Sequence, residues 1–466
     1  MHNDTTNLGA KSMSDDRKNE PLITEALAQF AAELTFDQIP QQARTVARHC
    51  LMDMVGVALA GKAEPLSEIL LAQIEDEGGS EHASLIGIGE RTSSVQAALY
   101  NGSAAHALDF DDVHGAFTGH PTVAVMPAVL ALAERHGKDG KAVITAFVAG
   151  VEVLARIGGM MSKGHYARGW HATGTIGTIG AAAACANLLG LDSEATNRAM
   201  GIAATQAAGL KSNFGTMSKP LHAGRAASNG LLAASLAARG FTARENTLDI
   251  AQGFGDTMAE GELDIDRALE RIGELFHTQD TLFKYHAACY GVHAPTEAAL
   301  RLRLQDGFDP AKVEKIEISV PQNCIGMCDI AEPTSGLEAK FSLTHNVALG
   351  LLNKADGSLS LYKDESFETD DVAALRAKSH VTGHPEYDSF YSEVVVHQKD
   401  GRVIKQEFDI SIPMGDLSEQ EAKLAKKFKA LAIPVLGEER AERMVAAIAG
   451  LENQKAISDM LEFSQP

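Results

Sequence analysis

Three short stretches of this chain concentrate ionisable side chains in otherwise apolar, glycine-rich surroundings. The first runs from His106 through Asp109, Phe110, Asp111, Asp112 and Val113 to His114, and continues to Gly119-His120-Pro121. Three carboxylates within four residues repel one another, so a fold that keeps them together must supply counter-charges or a metal. The ordinary use of Asp111 or Asp112 is to cap the helix that follows. The acids fall in no familiar ligand spacing, so no metal site is expected. The second stretch, Lys163 to Gly174, holds His165, Tyr166, Arg168, Trp170 and His171 in what reads as a link between two apolar helices. One histidine there would usually be structural, but a mere helix connection need not be so rich in acid–base groups. Tyr166 needs a neighbouring cation to lower its pKa before it can act as a base. The third stretch, Asn213 to Arg225, places Lys219 before Pro220-Leu221-His222 at the start of an alanine- and glycine-rich helix. A lysine so placed is a candidate for anchoring a carboxylate and, if desolvated, for exchanging protons near neutral pH, although in isolation it would read as a surface residue.

The elements that must position these groups are mostly helical. From Pro21 to about Phe283, apolar residues recur at three- and four-residue steps, as in Phe30, Leu34, Ile39, Ala43, Val46, Cys50 and Val55. Helices are predicted at Val123–His136, Lys141–Gly158, Gly174–Leu189, Ser193–Ala208 and Ala223–Arg239. Gly174, Gly177 and Gly180 point to close helix–helix contact; neither they nor Gly87-Ile88-Gly89 have the context of a phosphate or dinucleotide loop. The pattern changes near Lys284. Val313–Val320 predicts a strand, and Val394–His397 with Val403-Ile404 a hairpin across Lys399-Asp400-Gly401. Phe341–Leu352 and Asp371–Ala377 between them predict helix, and the tail returns to helix at Ala422–Leu431 and Glu438–Ala449. The expected architecture is therefore mainly α: a discontinuous, all-helical domain from residues 21–283 and 412–466, with an α/β lid inserted at 284–411. Residues 1–20 are polar, lack a secretory apolar segment and are expected to form a disordered tail.

Composition bounds the function. A net charge of −21 argues against nucleic acid, which demands a basic face, but permits a small anion in a locally basic pocket. No apolar run is read as approaching the ~20 residues that span a bilayer, so no membrane partner is expected. Five scattered cysteines suggest free thiols and a cytoplasmic protein; Cys324 and Cys328 read as two ordinary thiols.

The three stretches, in this order, resemble the MmgE/PrpD family. The marks are Ala105-His106-Ala107-Leu108-Asp109-Phe110-Asp111-Asp112 with Gly119-His120-Pro121, His165-Tyr166 with Gly169-Trp170-His171, and Phe214-Gly215-Thr216-Met217 with Lys219-Pro220-Leu221-His222. Weaker echoes are Cys289 with His293, and Glu338 to Leu343. The likeness runs from about residue 20 to 450. It implies a helical domain built from both chain ends, an inserted lid, a homodimer, and a site at the domain junction with no obligatory metal or cofactor. It further implies a lyase or isomerase acting on a small di- or tricarboxylate: dehydration as of 2-methylcitrate, decarboxylation as of cis-aconitate, or epimerisation as of iminodisuccinate. By analogy with the decarboxylase, Asp109, His120, His171 and Lys219 fall at pocket positions, with His293 joining from the lid. By analogy with the epimerase, Tyr166 and Lys219 form the opposed acid–base pair, and the wording of the second and third stretches is closer to that branch. Val113 stands where decarboxylase- and dehydratase-like members tend to carry threonine.

On this reading Lys219, His120 and Arg168 or Lys284 hold the substrate, with His222 and His293 lining the pocket. His171 or Tyr166 takes the proton, and Asp109 orients an imidazole. The rivals are a non-catalytic polycarboxylate binder and a metal hydrolase built on the acidic run. His114 has no role assignable from sequence.

Overall fold

The computed structural model describes residues 22–259, 263–388 and 390–466; the expected tail at 1–20 lies outside them. The chain folds as a mainly α protein with a small sheet-containing unit. Nine helices build the first part: α1 Ile23–Glu33, α2 Gln41–Gly61, α3 Pro65–Glu77, α4 Ser94–His106, α5 Pro121–Arg135, α6 Gly140–Ala167, α7 Ala172–Leu189, α8 Ser193–Ala204 and α9 Ser218–Ala237. Two short helices, α10 Phe254–Met258 and α11 Ile265–Leu269, follow. A ribbon of two-residue strands, β1 Ala83–Ser84 and β2 Arg91–Thr92, interrupts the helical run.

α7 sits at the centre, packed by α5, α6, α8 and α9. Small residues allow this. A Cβ at Gly177 would come within 2.7 Å of the Ala124 Cβ, and one at Gly174 within 2.5 Å of the Ala208 carbonyl. α4 and α9 also approach closely: a Cβ at Gly224 would lie 2.1 Å from the Leu99 carbonyl oxygen and 2.2 Å from Ser103 Oγ. Only glycine fits there, and that contact sets how near the end of α4 comes to the start of α9.

α6 and α7 are long and apolar enough to cross a membrane by length and composition, contrary to the sequence expectation. Their apolar windows are 100% and 89% buried inside the protein, which makes them core helices. The two charges in the apolar part of α6 are satisfied locally. Glu152 accepts the backbone N–H groups of His277 and Thr278, and Arg156 donates to the carbonyls of Ala268, Glu270 and Leu275.

The sheet-containing unit has its own core, centred on Val292, Ile316, Ile318, Val347, Val394 and Val396. It contains α12 His293–Leu302, β3 Val313–Pro321, α13 Gly336–Ala339, α14 Leu343–Leu351, α15 Asp370–Arg376, β4 Ser379–His384, β5 Tyr391–Gln398 and β6 Val403–Asp409. The strand order is β4-β3-β5-β6, with β3 and β4 parallel and the other pairs antiparallel. β4 was not anticipated from sequence. It is an edge strand whose one apolar residue, Val381, stands among polar residues and glycine with no fully buried position, so it carries little alternation to read. The chain then returns to the helical core through α16 Leu417–Leu436, α17 Glu438–Ala449 and α18 Ile457–Leu461. Residues from both chain ends, such as Leu27, Phe428 and Met444, share that first core.

α16 is locked to α2 by a buried ion pair. Lys427 Nζ lies 2.6 Å from Asp53 Oδ1 and donates also to the carbonyls of Phe110 (2.6 Å) and Lys284 (2.8 Å). This single ammonium joins both ends of the chain, the acidic loop and the junction with the sheet unit.

Candidate active site

The three motif stretches meet at the ends of helices. His106 is the last residue of α4, His120 the N-cap of α5, His171 the N-cap of α7, and Lys219 and His222 lie in the first turns of α9. α6 runs past its predicted end, so His165 and Tyr166 occupy its last turn rather than a link. Backbone and side-chain bonds tie the stretches together. The His120 N–H donates to Thr173 Oγ1 at 3.0 Å, the His171 N–H to the Gly209 carbonyl at 3.0 Å, and the Lys211 N–H to the Gly169 carbonyl at 2.8 Å. Three helix N-termini thus open on one place, and each brings a partial positive charge.

The charged centre is Asp109. Its backbone is in the left-handed region (φ 50°), where non-glycine residues are uncommon. Its carboxylate lies 2.8 Å from Lys219 Nζ, 3.2 Å from Lys284 Nζ and 3.6 Å from His120 Nε2. Lys284 Nζ also donates to the Asp109 carbonyl at 2.5 Å. Protein surrounds this carboxylate, yet 52% of the side chain still touches solvent. Burial works to raise its pKa, but Lys284, His120 and Lys219 together hold it well below the usual carboxylate range. Two ammonium groups on one accessible carboxylate form the basic pocket that an acidic protein needs for an anion.

Beside it runs a chain of four imidazoles. Ring centroids are 4.4 Å apart for His120 and His106, 5.9 Å for His106 and His171, and 5.3 Å for His171 and His222. Asp111, rather than Asp109, makes the buried contacts that orient them. Its Oδ1 is 2.8 Å from His106 Nδ1 and its Oδ2 2.9 Å from His120 Nδ1, whose hydrogen bond is directed to the Asp112 carbonyl at 2.9 Å. Both partners of His120 Nδ1 are acceptors, which puts its proton on Nδ1 and turns Nε2 toward Asp109. Burial opposes ionisation of Asp111, but His106 and His120 keep it well below the normal carboxylate range. His106 Nε2 is buried with no partner among the described residues. His171 is pushed down to about 2, by burial first and then by His106, His120, His222 and Lys219, so its imidazole is neutral. Its Nδ1 lies 3.0 Å from His222 Nδ1, so one ring donates to the other.

Tyr166 does have a cation, Lys211 Nζ at 3.6 Å over its ring. Its pKa is nonetheless raised, by burial and by Asp109, so it stays a phenol. Arg168 and His293 are not brought into the cluster. Arg168 is exposed at the C-cap of α6, with no ion pair among the described residues. His293 is buried against the rings of His286 (5.2 Å) and Tyr290 (5.3 Å), with Nε2 3.2 Å from the Ala288 carbonyl. His114 and His165 are structural. His114 Nε2 donates to the His277 carbonyl, and His165 bridges the Met258 carbonyl and Thr175 Oγ1. Asp112 caps α5 through the Thr122 N–H and hydroxyl.

Sequence reasoning passed over His106, Asp111 and Lys427. The signals were present. His106 opens the first motif, one turn and a bend from Asp111. Lys427 falls on the apolar stripe Leu424, Phe428 and Leu431, where a lysine has to be paired.

Ligand atoms of His106, Asp109, Asp111 and His120 lie within 4.8 Å of one another, a spacing that could hold a divalent ion. Lys219 and Lys284 already occupy the Asp109 carboxylate, so such an ion would sit against two ammonium charges; the electrostatics favour an anion. A cavity of about 390 Å³ lies elsewhere, between residues 281–285, α12 and the 407–420 segment. His293 lines it; Glu297 there is paired with His286 and Lys423 and Arg301 with Glu419, while Asp409 and Asp416 have no ion pair among the described residues.

Comparison with known proteins bears on this pocket. The MmgE/PrpD N-terminal domain profile matches residues 25–266 and the C-terminal domain profile residues 286–453. A cis-aconitate decarboxylase-like protein of Aspergillus oryzae is 28% identical over 96% of this chain and 98% of its own. The cis-aconitate decarboxylase of Aspergillus terreus is 27% identical over 97% of each chain, and that of Homo sapiens 26% identical over 92% of each.

Proposed function

The chain belongs to the MmgE/PrpD family, and on that premise we propose that it is a cofactor-independent lyase or isomerase acting on a small di- or tricarboxylate. The observation that carries this reading is the convergence of Lys219 and Lys284 on one accessible carboxylate, beside the neutral imidazole of His171. Removing a proton next to a carboxylate places new negative charge beside existing charge. Fixed ammonium groups where that charge develops stabilise the transition state more than the ground state. His171 is the base: burial and the neighbouring cations hold its pKa low, and a bound carboxylate offsets those cations and raises it. Tyr166, still protonated, is the group suited to return a proton. Asp111 holds His106 and His120 in position. The electron pair left on carbon then expels hydroxide or is reprotonated on the opposite face; in decarboxylation it is instead the pair of the breaking bond to carbon dioxide that stays on the substrate, and a proton from the pocket quenches it.

The listed outcomes share one pocket plan, and the relatives' names favour decarboxylation of a substrate like cis-aconitate. Val113, whose backbone pairs with Leu282, lacks the hydroxyl expected of that branch. The test is incubation of the purified protein with cis-aconitate, 2-methylcitrate or iminodisuccinate in deuterated water, followed by NMR. Label uptake with loss of carbon dioxide marks a decarboxylase, a new alkene without it a dehydratase, and exchange without net consumption an epimerase. Binding without exchange of any of the three would leave a polycarboxylate-binding protein instead.

A further inference from the structure

The Phe214 ring touches two of the groups that line the charged centre. Its centroid lies 5.1 Å from Lys219 Nζ and 4.9 Å from that of the His171 imidazole, with the two ring planes at 83°. The backbone is folded to allow this. Phe214 follows the short turn Lys211–Asn213, its N–H donating to the Lys211 carbonyl at 2.9 Å. Gly215 then takes a left-handed conformation (φ 82°), and the N–H groups of Thr216 and Lys219 return to the carbonyls of Asn213 (3.2 Å) and Thr216 (3.1 Å). The lysine is thereby brought back over the aromatic ring. Phe214 is half-buried, while His171 is 2% exposed and the Lys219 side chain 16%.

An aromatic ring suits this place better than a polar side chain. Asp109 is the only carboxylate in ion-pair range of Lys219 among the described residues, and it is the partner that an incoming carboxylate displaces. A second fixed carboxylate would hold the ammonium but occupy its N–H groups. A ring attracts the cation through its face and leaves those donors free for Asp109 or for substrate. Against His171 the same ring stands where water otherwise would, and burial is the first cause of that imidazole's neutrality.

We propose that Phe214 is a positioning residue: its face holds the Lys219 ammonium in place while Asp109 is exchanged for substrate, and its bulk keeps water from the His171 imidazole. This rests on the reading of Lys219 as the substrate's anchor and of His171 as the base.

The test uses the full-length protein and three variants that divide the two roles. Phe214→Leu keeps apolar bulk and loses the π face, Phe214→Tyr keeps both, and Phe214→Ala loses both. By NMR, exchange of the Lys219 ammonium protons with water should be several-fold faster in Phe214→Leu and return to the wild-type rate in Phe214→Tyr. His171 should take up its proton at least about one pH unit higher in Phe214→Ala than in wild type or Phe214→Leu. With a polycarboxylate that the wild type turns over, kcat/KM should fall about 10-fold in Phe214→Leu and stay within about twofold in Phe214→Tyr. A wild-type ammonium exchange rate in Phe214→Leu, or an unmoved His171 titration in folded Phe214→Ala, would overturn the proposal. So would a lowered melting temperature in Phe214→Leu with both NMR signals unchanged, the mark of a purely structural ring. The NMR readouts need no substrate and decide on Phe214 even if none of the three polycarboxylates is consumed, a result that would count against the carboxylate reading alone.

Discussion

Two Lys–Asp clusters lie side by side in this protein and do opposite things. Around Lys427 every proton of the ammonium is used. It meets Asp53 and two carbonyls, and both side chains are almost fully buried. Around Asp109 two ammonium groups share one carboxylate that solvent still reaches. The clusters are even contiguous, since Lys284 gives its carbonyl to the first and its ammonium to the second. Burial of charge therefore does not mark a site; paired charge that solvent can still reach does. A sealed cluster holds structure, and an open one invites chemistry.

That contrast can be broken by mutation. Lys219→Ala should reduce kcat/KM by about 10³-fold, the order expected when a group facing developing charge is removed, with an unchanged melting temperature. Near-normal turnover would refute the assignment of the open cluster. Lys427→Met should do the reverse. Leaving Asp53 without its cation should cost about 3–5 kcal/mol of stability in denaturant unfolding, and an unaltered midpoint would show that the sealed cluster is not structural. Asp111→Asn should lower kcat by about 10²-fold, because His106 and His120 lose the carboxylate that orients them. Asp111 has a depressed pKa, so its stabilising contribution is present above the ordinary carboxylate range and lost as pH falls. The stability gap between Asp111→Asn and wild type should accordingly narrow below about pH 4. A pH-dependent effect is expected at Asp112, raised to about 8 by burial and by Asp53. A raised carboxyl loses its contribution as pH climbs toward that value, so Asp112→Asn should gain on wild type by roughly 1 kcal/mol for each pH unit between 5 and 8. A melting difference that stays flat over this range would mean that Asp112 is already ionised.

Much of this contrast could be read from residue types before any geometry. Helices α5, α7 and α9 carry periodic apolar residues, and the three motif stretches stood out because their ionisable groups interrupt that pattern. What periodicity cannot show is which acid of a run faces inward. Asp109 and Asp111 are two apart, and the left-handed backbone at Asp109 sends one carboxylate into the pocket and leaves the other under the imidazoles. The end of α6 was missed because Gly158-Gly159 reads as a stop, whereas the helix continues and Gly158 makes room for Phe117. β4 was missed because an edge strand needs little apolar surface. Arg168 enters the expected pocket by its place in the second stretch and His293 by resemblance alone; the fold leaves Arg168 exposed at the C-cap of α6 and His293 buried against His286 and Tyr290.

The ion pairs at Asp109 have a consequence for affinity. The pocket carries its own competitor in Asp109, so an incoming carboxylate exchanges with one already paired to Lys219 and Lys284. Observed binding is then a difference between two salt bridges, modest by design, and products leave for the same reason that substrates enter weakly. Blunting the resident anion, as in Asp109→Asn, should make the pocket grip small carboxylates harder while turning them over more slowly.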